Sequence, residues 1–252
     1  MVEVTILAVL QGVAEFLPIS SSGHLVIAQN LLGVNEPGMR LDVFLHLGTL
    51  AAIFAYYWRT VAALAVGRDW RYALKIAASA LPAVAVYFPF HGFIDGMFEN
   101  VKMVGALEMF TGAVLIGTRY LPRGQREVTL ARAVFMGLGQ ALALLPGVSR
   151  SGMTLCAARG GRVEAAKAAE FSFLMSAPLI AGAALLELLK AARSAAPESS
   201  QIGWGLTMYG AVLAAVVGYF SLAFLVRTLK GRRFWCFGVY CIAVGLATLL
   251  AF

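Results

Sequence analysis

Six polar side chains fall within fourteen residues of otherwise apolar sequence near the start of the chain: Gln11, Glu15, Ser20, Ser21, Ser22 and His24. Gln11 and Glu15 are four apart, so on a helix they share one face. That face must look into a cavity, because a carboxylate turned toward lipid is expensive. A carboxylate and an imidazole beside three hydroxyls are the groups required to activate a nucleophile or to assist hydrolysis at a metal. The plainer reading makes the serines helix caps and Glu15 a satisfied buried acid. It suits any one serine better than it suits the whole cluster.

A second cluster runs Pro146, Gly147, Ser149, Arg150, Ser151 and Gly152. A fixed cation beside hydroxyls, at the mouth of a short helix, is an anion site. Phosphate fits it best, given the planar, permanently charged guanidinium. The plainer reading makes Arg150 one half of a structural ion pair with Glu15. His46 sits in the middle of an apolar run, where a packing role is as reasonable as an orienting one. Asp42 and Glu170 stand at the starts of apolar runs, which suits carboxylates at helix N-termini. Glu108 and Glu187 are expected to pair within the protein or to lie near helix ends. Cys156, Cys236 and Cys241 have no metal spacing and read as small buried hydrophobes.

The elements that position these clusters must be membrane helices. Apolar side chains make up 60% of the 252 residues and charged ones 13%, with a mean hydropathy of +0.81, whereas soluble domains carry about 25% charge. Six crossings are predicted, over 41 to 58, 72 to 90, 101 to 121, 170 to 192, 204 to 226 and 234 to 252. The net charge of +7 comes from basic residues in the short gaps: Arg59, Arg68, Arg71 and Lys75; Arg119, Arg123, Arg126 and Arg132; Arg227, Lys230, Arg232 and Arg233. This pattern places those gaps on the cytoplasmic side and argues against a nucleic-acid partner. The gaps 91 to 100 and 194 to 203 carry Asp95, Glu99 and Glu198 without Lys or Arg, and are expected to face outward. The first residues have neither the basic flank nor the cleavage site of a signal peptide and are expected to stay in the mature protein.

Residues 2 to 33 and 130 to 165 fit no simple span. Each reads as two short apolar helices around a polar turn, a re-entrant hairpin, and the charge pattern makes them enter from opposite faces with their tips in reach of each other. A shift of 129 residues matches Gln11 with Gln140, Ala14 with Ala143, Ser20 with Ser149, Ser22 with Ser151 and Gly23 with Gly152, then Phe44 with Phe173, Leu45 with Leu174 and Leu50 with Leu179. The expected architecture is therefore an all-α integral membrane protein, one domain of two inverted halves, about 1–125 and 126–252, with the polar site at their interface. Non-helical backbone at membrane depth must line protein or water.

The stretches LQGVAEFLPISSSGH (Leu10 to His24) and PGVSRSG (Pro146 to Gly152), with LDVFLHLGTL at 41 to 50, resemble the signature motifs of the undecaprenyl-diphosphate phosphatases. The resemblance implies a multi-pass enzyme of the bacterial inner membrane that faces outward. Such an enzyme hydrolyses undecaprenyl diphosphate to the monophosphate, recycles the carrier for cell-wall polymers and confers bacitracin resistance when abundant. It implies catalytic roles for Glu15, Ser21, His24 and Arg150, with Glu15 and His24 as the proton-transfer pair. Ser21, His24 and an activated water all remain open as the attacking group. Gln11, Ser20, Ser22, Gly23, Ser149, Ser151 and Gly152 would bind the diphosphate. The family's first motif has Glu or Gln, three residues, then Glu; Gln11 leaves one carboxylate where many members have two. A divalent cation, Mg or Ca, would then rest on Glu15 and the substrate's own phosphates. The expected partners are a polyprenyl diphosphate lipid, the bilayer and a second copy of the chain in a homodimer. A carrier of an anionic solute or lipid phosphate is the alternative, because inverted repeats with helix N-termini at the midplane also serve transport.

Overall fold

A computed structural model describes residues 1–34, 40–122, 124–193, 202–229, 231 and 233–252, without the side chains of 188 and 190–193. Arg123, Glu198, Lys230 and Arg232, four of the charges used above to orient the chain, lie outside the described residues. The helices are α1 (Val2–Ala14), α2 (Ser21–Leu32), α3 (Arg40–Tyr56), α4 (Trp58–Ala65), α5 (Trp70–Met97), α6 (Val101–Gly117), α7 (Leu130–Leu142), α8 (Arg150–Gly160), α9 (Ala165–Arg193), α10 (Trp204–Leu229) and α11 (Cys236–Ala251).

The chain is an all-α, membrane-spanning protein. Among the described residues four stretches are long and apolar enough to cross: α5, α6 with the turn that follows it, the Ala165–Glu187 part of α9, and α10. A fifth forms if α3 and α4 count as one span, although they bend by 88° where they meet. The 16 residues of α11 extend about 24 Å at 1.5 Å each, short of a hydrocarbon core of about 30 Å. Length and composition thus give four or five spans rather than the six expected. The eight-residue α4 occupies the first basic gap, and α5 runs through most of the segment expected as the outward loop 91 to 100. Glu170 lies inside α9, not at its start, and Cys236 is exposed at the head of α11 while Cys156 and Cys241 are buried.

Helices in lipid gain little from apolar burial against one another, so close packing must hold them. Glycine supplies it on α6 and α11. A Cβ added at Gly112 would stand 2.6 Å from the Gly238 carbonyl oxygen, one at Gly238 2.5 Å from that of Gly112, and one at Gly245 2.4 Å from that of Gly105. The two backbones touch at positions seven apart on each helix. Similar approaches join α3 to α10, where a Cβ at Gly48 would meet the Ala211 carbonyl at 2.2 Å, and α7 to α5, where one at Gly137 would meet the Ser79 carbonyl at 2.3 Å.

The short helices form two helix–turn–helix units, α1 with α2 and α7 with α8. Parallel bridges pair Gly124 with Glu164 and Arg126 with Val163, so the second unit enters and leaves at one end. In chain order, α1, α2, α3, α5 and α6 each have a counterpart about 129 residues on, namely α7, α8, α9, α10 and α11.

Gly238→Leu should wedge α11 away from α6 and cost about 1–3 kcal/mol, the usual scale of forced overpacking. A thermal melt in detergent would read this as a clear fall in midpoint; an unchanged midpoint would mean that the contact does not hold the pair.

Candidate active site

Both units turn where the chain cannot stay helical. After α1 the backbone passes Pro18 and reaches Ser20, which has the left-handed φ of 66°. That conformation costs a non-glycine residue about 1 kcal/mol or more. Ser20 recovers part of it as the cap of α2: its hydroxyl accepts from Gly23 N at 3.3 Å. In the second unit the left-handed position is Gly147, φ 89°, where no Cβ is strained. Ser149 caps α8 by accepting from Gly152 N at 3.1 Å. Ser20 and Ser149 therefore do fill the plainer role of helix caps.

The two turns meet. A Cβ on Gly23 would lie 3.0 Å from Gly147 Cα, and Ser151 Oγ donates to the Leu17 carbonyl at 3.0 Å. Behind the second turn, Thr111 of α6 donates to Gly147 O at 3.0 Å and accepts from Ser149 N at 3.1 Å. The N-termini of α2 and α8 arrive side by side, and the first-turn amides of Ser21, Ser22, Arg150 and Ser151 precede any intrahelical acceptor. Such amides favour an anion.

Glu15 is the hub. Arg150 Nη2 donates to its Oε1 at 2.5 Å. Its Oε2 accepts from Ser21 Oγ at 2.7 Å and from Gln11 Nε2 at 3.1 Å. His46 Nε2 stands 3.7 Å from the same oxygen. One carboxylate thus gathers the cation of the second unit and the hydroxyl of the first. The structural ion pair anticipated as the plainer reading of Arg150 is present, and it lies inside the polar cluster. Arg150 also donates through Nη1 to Ser172 O at 3.4 Å and lies over the Phe173 ring. Ser22 is 3.5 Å from Ser20 Oγ, and Ser151 is 3.3 Å from Ser149 Oγ.

His24 departs from expectation. No hydrogen bond joins it to Ser21 or Glu15 among the described residues. Its Nδ1 is 2.9 Å from Ser20 O, its Nε2 is 2.9 Å from Tyr240 Oη, and Glu108 Oε1 is 3.1 Å from Nδ1. A Glu15–His24 proton-transfer pair is therefore not assembled here; Glu15 alone touches Ser21. The divergence is geometric: Ser21 and His24 are three residues apart on α2, but the Ser20 carbonyl and α11 draw the imidazole aside.

Several neighbours carried little signal. His46 and Thr49 both reach the hub from α3, Thr49 Oγ1 lying 3.5 Å from Gln11 Nε2. Their spacing of three in LDVFLHLGTL was the available hint. Thr154 bonds Ser172 Oγ at 2.6 Å and Arg150 O at 2.8 Å, bracing α8 against α9. Glu108, expected to pair within the protein or to lie near a helix end, stands beside His24, whereas nothing local marked Tyr240.

The residues do not fit a cation held by protein alone. Position 11 offers an amide, Glu15 already receives Arg150, Ser21 and Gln11, and no group of three His, Cys, Asp or Glu side chains converges among the described residues.

Fold and site together define a class: multi-pass membrane proteins that bring an arginine, a carboxylate and two helix N-termini to one buried polar cluster. The family described as Bacitracin resistance protein BacA matches residues 4–247. The undecaprenyl-diphosphatase of Desulfatibacillum aliphaticivorans is 36% identical over 274 residues, covering 99% of this chain and 98% of its own. Those of Alcanivorax borkumensis, 36% identical with 97% and 96% covered, and Thermomicrobium roseum, 37% identical with 98% and 96% covered, are similar along their whole lengths. The chain belongs to this bacitracin-resistance, undecaprenyl-diphosphatase family.

Glu15→Gln leaves the Arg150 guanidinium without its partner and should cost about 3 kcal/mol, the scale for breaking a buried pair. Adding Arg150→Met in that background should recover much of the loss. A double-mutant cycle of detergent melts checks it, and additive losses would mean that the pair is uncoupled.

Proposed function

We propose that this protein hydrolyses undecaprenyl diphosphate to undecaprenyl phosphate and inorganic phosphate where the two turns meet. The observation that carries the reading is the chain Ser21 Oγ to Glu15 to Arg150, at 2.7 and 2.5 Å. It places a hydroxyl, a base able to accept its proton, and a cation suited to phosphate in direct succession. Full-length similarity to proteins bearing this enzyme's name supports it.

In the first step Ser21 Oγ attacks the terminal phosphorus while its proton passes to Glu15 Oε2. The bond from that phosphorus to the bridging oxygen breaks, and the electron pair leaves with undecaprenyl phosphate. Arg150 turns from Glu15 to the transferring phosphoryl group, whose oxygens also meet the free amides of α2 and α8. Ser20, Ser22, Gly23, Ser149, Ser151 and Gly152 shape that cradle, and Gln11 steadies the carboxylate. In the second step water attacks the phosphoserine, His24 Nε2 takes its proton, and Glu15 returns a proton to the departing Ser21 oxygen. Any divalent cation would enter with the diphosphate, and no step depends on it. The prenyl chain lies among the helices in lipid, which accounts for an intramembrane site for a charged headgroup.

The fold is proposed to comprise six crossings, with α3–α4 and α11 as the broken and short ones, and two re-entrant units. Halves 1–125 and 126–252 are related by inverted repetition, which the displaced order of helices supports. The protein resides in the bacterial plasma membrane with its site toward the periplasmic side, as the distribution of Lys and Arg favours. A second copy of the chain is its proposed protein partner.

Detergent-purified protein should release phosphate from undecaprenyl or farnesyl diphosphate, and Arg150→Ala should lower this by about hundred-fold or more. Ser21→Ala should abolish it; substantial residual turnover would transfer the attack to His24 or water. Accumulation of labelled anion in vesicles without phosphate release would favour the carrier reading instead. Gln11→Glu restores a second carboxylate and should keep turnover while increasing its sensitivity to EDTA; a severe loss would mean that the amide itself is required.

A further inference from the structure

Glu108 is the least explained charge in the molecule. It is fully buried on α6, and neither carboxyl oxygen has a hydrogen-bond partner. Such a group is costly unless a charge or a donor stands beside it. Beside it stands His24 Nδ1, 3.1 Å from Oε1. The Ser20 carbonyl, 2.9 Å from the same nitrogen, can only accept, so Nδ1 carries a proton. That leaves Nε2 to accept from the Tyr240 hydroxyl at 2.9 Å. Tyr240 stacks on the imidazole with an interplanar angle of 9° and is 44% exposed, so it can swing away when a ligand enters.

We infer that Glu108 is the positioning residue of His24: beside the Ser20 carbonyl that accepts the Nδ1–H, it backs the imidazole in the Nδ1–H tautomer and leaves Nε2 as the basic nitrogen. Glu108 then supplies the countercharge when Nε2 takes a proton from water, as a carboxylate behind an imidazole does in hydrolases generally. The groups facing this unit are Ser20 from the first turn, Tyr240 and Cys241 from α11, and, across the cluster, the Glu15–Arg150 pair. The close backbone contact of α6 with α11 fixes the helix positions from which Glu108 and Tyr240 reach His24. The inference deepens the hydrolase reading and rests on it for the role of Nε2, but not for the tautomer.

The test is nitrogen NMR of protein labelled at the imidazoles of its three histidines, beside turnover of farnesyl diphosphate. His24→Gln assigns the resonances and removes the base. Wild type should show His24 as the Nδ1–H tautomer. Glu108→Leu should give a mixture of tautomers, lower kcat by about ten-fold or more with KM little changed, and make labelled phosphoenzyme accumulate as in His24→Gln. Glu108→Gln, which keeps the volume and an acceptor oxygen but not the charge, should keep the tautomer while kcat still falls with KM little changed, and its turnover decides the matter if the leucine variant does not fold. Tyr240→Phe should leave the tautomer in place. An unchanged His24 tautomer in Glu108→Leu overturns the inference, as does turnover within two-fold of wild type in either Glu108 variant. If wild type releases no phosphate, the hydrolase reading falls, and the tautomer measurement still decides what Glu108 does.

Discussion

The ion pair between Arg150 and Glu15 is the contact on which the site depends. It joins two turns that are remote in sequence, and it does so where polar backbone has no solvent to fall back on. Each turn exposes helix N-terminal amides that need an acceptor. Each also carries a charge that could not stand alone in an apolar surrounding. Bringing them together answers the guanidinium with the carboxylate at the place where the two turns meet. In the proposed reaction Arg150 exchanges this partner for phosphate, so its structural and chemical roles draw on the same guanidinium.

What holds the turns in place is backbone proximity rather than bulk. Glycines let α6 lie against α11 and α3 against α10, leaving room for neither side chain nor lipid. The fit is stiff, and it carries function. Thr111 and Glu108 on α6 reach the second turn and His24 respectively, while Tyr240 on α11 reaches His24 from the other side. A pair of helices that looks like scaffold thus frames one half of the site. The other half is framed by α3 and α9 through His46, Thr49 and Ser172.

The site divides its carboxylates and imidazoles into two sets. Glu15 with His46 attends the Ser21 hydroxyl; Glu108 with Tyr240 attends His24. The displacement proposed above through a serine intermediate requires proton transfer twice, in opposite senses, and two separately held bases would suit that requirement better than one shared pair.

Much of this was legible in the sequence. Composition demanded a membrane protein, the interrupted apolar runs at 2 to 33 and 130 to 165 marked both turns, and the repeat at 129 linked Ser20 to Ser149, which the structure places at equivalent caps. Those features are local or periodic, so residue type and spacing suffice to express them. The partners of His24 were not legible, because Glu108 and Tyr240 are 84 and 216 residues away; that Glu108 needs a partner could be read, but not which one. Nor could the sequence decide that α3 and α4 meet at 88°, since that depends on where neighbouring helices allow the chain to go. The sequence alone determined which groups the protein would bring to its interior and that they would sit on two turns; the tertiary structure alone decided which carboxylate serves which hydroxyl or imidazole, because that is set by contacts between helices that no spacing along the chain encodes.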